Sequence, residues 1–255
     1  MNNLKISFIQ SDLQWENKTA NLKSFSEKIE KVPNDTDLII LPEMFTTGFS
    51  MNAAFLAETM EGETVNWMKN NAKQKNCAIT GSFICEENGK YYNRLVWMNA
   101  DGTYETYDKR HLFSMGDENN HYTPGNKRLV VTYKGWRICP MICYDLRFPV
   151  WSRNTKNNPF DLLIYLANWP DVRMGPWNKL LCARAIENQC YVAAVNRVGN
   201  DISDTYYSGH SKVIDPKGEI ICESETAKEG IYYQELNYQE LESFRLKFPV
   251  LNDMD

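Results

Sequence analysis

Two short apolar runs, Asp37-Leu38-Ile39-Ile40-Leu41 and Asp161-Leu162-Leu163-Ile164-Tyr165-Leu166-Ala167, limit the folds open to this chain more than any other feature. Consecutive apolar residues leave such a run no polar face for solvent. It therefore reads as a strand covered on both sides, as in the parallel sheets of α/β proteins. Each run ends abruptly, the first in Pro42-Glu43 and the second in Asn168-Trp169-Pro170, and Pro42 stops its strand because proline cannot donate to a sheet ladder. The second run echoes the first, and the two are read as equivalent positions in two halves of one sheet system.

Around these runs the pattern alternates. Leu4–Gln10 reads as a strand, and Leu22, Phe25, Ile29 and Val32 fall at helical spacing after a cap at Asn17. Val65, Met68 and Ala72 predict a second helix. Strands follow over Ala78–Ile84, Tyr91–Asn99 and Thr103–Tyr107, joined by Asn88-Gly89 and Asp101-Gly102 turns. Strands over Arg128–Tyr133 and Arg137–Ile142 flank Lys134-Gly135, and Phe148–Asn154 reads as a helix. Trp177–Gln189 is predicted as a helix and Tyr191–Val195 as a strand. A hairpin follows over Ser211–Ile214 and Glu219–Cys222, then a last strand over Tyr232–Glu235 and a helix near Tyr238–Phe248. Strand–helix alternation broken by hairpins predicts two mixed sheets packed face to face with helices outside, a four-layer α-β-β-α sandwich in one domain over residues 1–255. In open sheets of this kind ligands sit at the carboxyl ends of strands, where Glu43, Cys143 and Asn168-Trp169 fall.

With 43% hydrophobic and 24% charged residues, 255 positions suffice for a large core. A formal charge of −5 argues against a nucleic-acid partner, which calls for a basic face. No apolar run approaches the ~18 residues of a membrane span and the first residues lack the apolar segment of a signal peptide, so a cytoplasmic protein without a membrane partner is expected. The seven cysteines form an odd set without a Cys-x-x-Cys pair, most in strand-like settings; neither a disulfide framework nor a metal site is expected, and no cofactor is called for.

Chemistry concentrates at three places. Cys143 follows an apolar strand, a position that exposes a side chain and points backbone N–H groups at anions. Glu43 sits between Pro42 and Met44-Phe45, where desolvation raises a carboxylate's proton affinity and suits it to act as a base. Lys109 lies in Asp108-Lys109-Arg110-His111, a stretch that alone would read as a solvated face. A base, an ammonium beside a developing oxyanion and a thiol are what amide hydrolysis through a thioester requires.

In this order, Leu41-Pro42-Glu43-Met44, Tyr107-Asp108-Lys109-Arg110-His111-Leu112-Phe113, Ile142-Cys143-Tyr144-Asp145-Leu146-Arg147-Phe148-Pro149, Arg184–Gln189 and Gly209-His210-Ser211 resemble the nitrilase superfamily of carbon–nitrogen hydrolases. The likeness runs from the first strand to the hairpin near residue 222. It implies a Glu43–Lys109–Cys143 triad, a second glutamate at Glu118 ahead of Pro124-Gly125 with Asp117 adjacent, and an oxyanion held by Lys109 and the Tyr144 N–H. The stretch Cys143–Asn154, with Met44–Phe49 and His121-Tyr122, is most similar to the omega-amidase branch, which acts on the terminal amide of 2-oxoglutaramate or 2-oxosuccinamate. Such a small-molecule amide carries a carboxylate, so a guanidinium should face it. Arg147, Arg153, Arg173 and Arg197 are the candidates, with Arg147 alternatively paired to Asp145. Phe49, Trp169 and Trp177 are candidate pocket walls. Other branches remain open: a deaminated-glutathione amidase, a carbamoyl-amide hydrolase or a nitrilase. A papain-like Cys-His-Asn hydrolase would need one of His111, His121 or His210 as base. The resemblance also implies a homodimer, with the tail 235–255 carrying Phe244, Phe248 and Leu251 toward a partner.

Overall fold

In the computed structural model, which describes residues 2–254, the chain opens with β1 (Leu4–Gln10), α1 (Lys18–Glu30), β2 (Leu38–Ile40), a single turn α2 (Ala53–Leu56) and α3 (Glu63–Lys75). The hairpin strands β3 (Ala78–Glu87), β4 (Lys90–Met98) and β5 (Tyr104–Asp108) follow, then a one-turn helix α4 (Glu118–His121). The second half comprises β6 (Val131–Tyr133), β7 (Trp136–Ile142), β8 (Leu162–Ala167), α5 (Met174–Asn188), β9 (Tyr191–Asn196), β10 (Val198–Asn200), β11 (Tyr206–Ser208), β12 (Lys212–Ile214), β13 (Ile220–Glu223), β14 (Gly230–Leu236) and α6 (Tyr238–Lys247).

Two six-stranded mixed sheets result, ordered β14-β1-β2-β3-β4-β5 and β13-β12-β9-β8-β7-β6. Read from β14 and from β6, each sheet runs antiparallel, parallel, parallel, antiparallel, antiparallel. The two apolar runs therefore occupy matching central positions, as their sequences predict. The match extends to hydrogen bonds. Asp37 donates its N–H to the Lys5 carbonyl (2.7 Å) and accepts the Lys5 N–H on its carboxylate (2.9 Å), and Asp161 makes the same pair with Arg137 at 2.7 and 3.0 Å.

Both faces of the central strands are covered, which explains their unbroken apolar character. Leu38 and Ile40 point into the core between the sheets, alongside Phe8, Trp97 and residues of β7 and β8. Ile39 and Leu41 pack outward against Phe25 and Ile29 of α1 and Val65 and Met68 of α3. On the far side α5 covers the second sheet through Trp177, Leu181 and Ala185. Asn17 caps α1 through its side chain, accepting the Ala20 N–H at 3.1 Å.

The predicted helix over 148–154 is absent. Cys143–Arg147 forms a short 3₁₀ turn instead, and Phe148 is extended (φ −111°, ψ 92°) because the following Pro149 disfavours helical backbone before it. The segment that answers to α1 is thus irregular, stapled by Asn154, whose side chain donates to the Phe160 and Asn188 carbonyls. The strand expected from Arg128 begins at Val131, since Arg128 is turned toward the carbonyls of Trp151 and Arg153. The tail docks through Tyr238 and Leu241 of α6, with Arg245 paired to Asp161, and leaves Leu246 and Phe248 exposed. No helix among the described residues is long and apolar enough to cross a membrane.

Candidate active site

Lys109 stands one residue past β5, its N–H donated to the Asn93 carbonyl (3.0 Å) and its carbonyl accepting the Gly125 N–H (2.9 Å). Only glycine fits at 125, because a Cβ there would lie 2.2 Å from the Asp108 carbonyl oxygen. Pinned at both backbone groups, the lysine sends its ammonium into the interior. Nζ reaches Glu43 Oε1 at 2.9 Å and both carboxylate oxygens of Glu118, at 3.0 and 2.9 Å. All three side chains are buried, with Phe49 packed against the ammonium at 5.0 Å. Asp117, the neighbouring candidate, is exposed and occupied with Asn120 and His121.

Glu43 follows β2 on a turn where Met44 adopts a positive φ of 44°. Its second oxygen accepts the Asn168 N–H at 2.8 Å, and its own carbonyl accepts the Asn168 side-chain amide at 2.6 Å, so a residue just past β8 grips it twice. Cys143 follows β7 in the left-handed region, φ 43°, a strained setting for a side chain with a Cβ and one that recurs at functional sites. Burial pushes its thiol well above the ordinary cysteine range; Glu43 adds to that and Lys109 offsets part of it. That direction favours the neutral thiol. Burial works against the Lys109 ammonium, but Glu118 and Glu43 outweigh it and hold the lysine protonated, above its usual range. Glu118 is raised as a carboxylate by its burial, with Lys109 opposing.

Above this cluster opens a cavity of about 570 Å³. Cys143, Lys109 and Asn168 meet it, the sequence candidates Phe49, Arg147, Trp169 and Arg173 line it, and so does Tyr144, whose side chain is not among them. Arg147 lies over Trp169 and Arg173 over Phe113, each at 5.1 Å, and neither guanidinium has an ion-pair partner among the described residues. Arg147 does not pair with Asp145. That carboxylate is fully buried and instead accepts the Ile142 N–H, the His111 N–H, the His111 ring Nδ1 and the Tyr107 hydroxyl, at 3.1, 3.0, 2.8 and 2.7 Å. Arg153 is exposed and away from the cavity, Arg197 is buried against Asp12, and Trp177 packs behind Trp169 without lining it.

No histidine lines the cavity among the described residues: His111 is held by Asp145, His121 faces Asp117, and His210 lies near Glu223. The papain-like arrangement is therefore absent. The described residues also hold no cluster suited to a metal ion. Cys182 and Cys222 are half-buried rather than core residues.

Sequence reasoning overlooked Asn93 on β4, whose amide donates to Glu43 Oε1 (2.8 Å) and Glu118 Oε1 (3.3 Å). The signal was its phase, a lone amide on the same strand face as Leu95 and Trp97. Trp15, Met51, Met115, Asp201 and Tyr207, also unanticipated, are among the other residues of the cavity wall.

Residues 5–246 match the carbon-nitrogen hydrolase family model. The chain belongs to the carbon–nitrogen hydrolase family. Among members of that family, it is 46% identical to omega-amidase YafV of Escherichia coli K12 over 255 residues, covering 100% of this chain and 98% of the relative. It is 35% identical to 2-oxoglutaramate amidase of Bacillus subtilis, with 98% and 96% covered. The structure superposes with a TM-score of 0.98 on a carbon–nitrogen hydrolase superfamily protein of Xanthomonas campestris solved with an arsenic adduct in its active site. That protein is 43% identical, with 100% of this chain and 98% of that one covered. The four-layer sandwich is thus the fold of this carbon–nitrogen hydrolase.

Proposed function

We propose that this hydrolase is an omega-amidase, releasing ammonia from the terminal amide of 2-oxo dicarboxylic acid monoamides such as 2-oxoglutaramate through a thioester on Cys143. The observation that carries the reading is a cavity with two unpaired guanidiniums, Arg147 and Arg173, on its walls and a buried base–ammonium–thiol cluster at its inner end. The full-length likeness to omega-amidases supports it.

Glu43 takes the thiol proton as the sulfur attacks the amide carbon. Lys109 and the Tyr144 N–H, which stands in the first turn after Ile142 where backbone donors lack helical partners, hold the oxyanion. Collapse of the tetrahedral adduct breaks the C–N bond, and the leaving nitrogen departs as ammonia with the proton from Glu43. Water then adds to the thioester, its proton passing to the carboxylate pair, and the carbon–sulfur bond breaks to restore the thiol and free the 2-oxo acid. Burial favours the neutral thiol, which gives Glu43 its part in the first step.

Purified protein is expected to release ammonia from 2-oxoglutaramate, and its Cys143→Ala variant to release none; N-carbamoyl-β-alanine and a simple nitrile assayed alongside should be poor substrates. Turnover of the nitrile or the carbamoyl compound in place of the oxo-amide would overturn the assignment. The carboxylate end gives a second test. Arg147→Leu or Arg173→Leu should raise KM for 2-oxoglutaramate about thirtyfold, the equivalent of one charged hydrogen-bonded pair of about 2 kcal/mol, and leave a neutral amide such as propionamide unaffected. If both variants keep the wild-type KM, neither arginine reads the carboxylate.

A further inference from the structure

Asn93 occupies a position that costs stability. Its side chain is buried between the sheets, and its Oδ1 has no hydrogen-bond partner, a loss of about 1–3 kcal/mol for a buried acceptor. Turning the amide over would not relieve this, because Oδ1 would then face Glu43 and Glu118. The observed orientation aims Nδ2 at Oε1 of both carboxylates, at 2.8 and 3.3 Å, on the same two oxygens that Lys109 Nζ reaches at 2.9 and 3.0 Å. Two oxygens of like charge are thus clamped by two donors, one ammonium and one amide. An orphaned polar atom of this kind calls for an explanation, and here it stands beside the two carboxylates.

We propose that Asn93 is a positioning residue for the reaction, its amide holding Glu43 and Glu118 in register across Lys109 so that Glu43 is aligned to take the Cys143 proton. The inference rests on the proposed role of Glu43 as base. Without Nδ2 the pair would share one ammonium only, and sharing a proton would become the cheaper way to keep two carboxylates together. The charged and titratable groups facing the pair are Lys109 from the end of β5, Cys143 from the end of β7 and Tyr122 from the end of α4. None replaces the amide donor.

The test uses Asn93→Leu, which keeps the number and branching of the side-chain heavy atoms and removes the orphaned acceptor, with Asn93→Asp as the isosteric second variant and Glu43→Gln as reference. Two readouts are compared across pH: turnover of 2-oxoglutaramate, and alkylation of Cys143 by iodoacetamide followed by peptide mass, which needs no substrate. In Asn93→Leu, kcat should fall at least tenfold with KM within about twofold, and the acid limb of both profiles should move up by about one pH unit. Folded Asn93→Leu or Asn93→Asp with wild-type profiles would overturn the proposal, and so would failure of both to fold, which would assign Asn93 to stability alone. Normal alkylation and turnover in Glu43→Gln would instead reject Glu43 as base, a separate result.

Discussion

Lys109→Met is expected to abolish turnover, by more than about a thousandfold if it holds the oxyanion as proposed, and to destabilise the fold by about 3–5 kcal/mol. The reason is the company it leaves behind. Glu43 and Glu118 would remain fully buried with no cation within hydrogen-bond reach among the described residues. Glu118, already raised by its burial, would then lose the ammonium that opposes that rise, so the lost stability should return below about pH 4.3, the ordinary glutamate pKa, and disappear as pH rises through its raised folded value. Wild type should show a fall of the same sign only at the alkaline end, because Lys109 is held above its usual pKa: its contribution is complete below about pH 10.4 and is lost as pH rises through the raised value. Denaturant melts at several pH values check both limbs; a variant equally stable at pH 5 and pH 8 would contradict this account.

Asp145→Ala should produce the second large effect without touching substrate. Four donors converge on that carboxylate, and two of them, the Tyr107 hydroxyl and the His111 N–H, flank Lys109 in sequence, while a third is the Ile142 N–H just before Cys143. Removing the acceptor strands buried donors at a cost of about 3 kcal/mol and loosens the ammonium and the nucleophile relative to each other. A displacement near 1 Å suffices for about a hundredfold loss in kcat. Calorimetry and steady-state kinetics on the folded variant measure the two parts, and a stable variant with full kcat would show that Asp145 is dispensable.

The central strands were legible because both their faces are buried, and a run such as Leu38–Leu41 cannot be written any other way. Glu43 and Cys143 were legible for a related reason: each is a reactive side chain at the end of such a run. Lys109 was not, on its own terms, since Asp108-Lys109-Arg110-His111 has the composition of a surface and only the Asn93 and Gly125 backbone contacts turn it inward. Asn93 escaped notice because Tyr91-Tyr92-Asn93-Arg94 looks solvent-facing, and its burial depends on the second sheet, which local sequence does not contain. Phe148–Asn154 reads as a helix in sequence, where Pro149 dictates otherwise. Four arginines were equivalent in sequence; only the fold separates Arg147 and Arg173 at the cavity from Arg197, spent on Asp12, and Arg153 at the surface.

Glu43, Asn93 and Lys109 belong to one sheet, Cys143 and Asn168 to the other. Neither layer alone carries a competent set. The alignment of the proposed base and nucleophile is therefore a property of how the halves seat on each other, transmitted through Trp97, Tyr133, Trp136 and the rest of the central core. A methyl group lost there, well away from any amide, alters the spacing of the reacting atoms as surely as a substitution beside the sulfur. For this hydrolase, turnover doubles as a gauge of interlayer fit, and core positions inherit the intolerance to change normally reserved for catalytic ones.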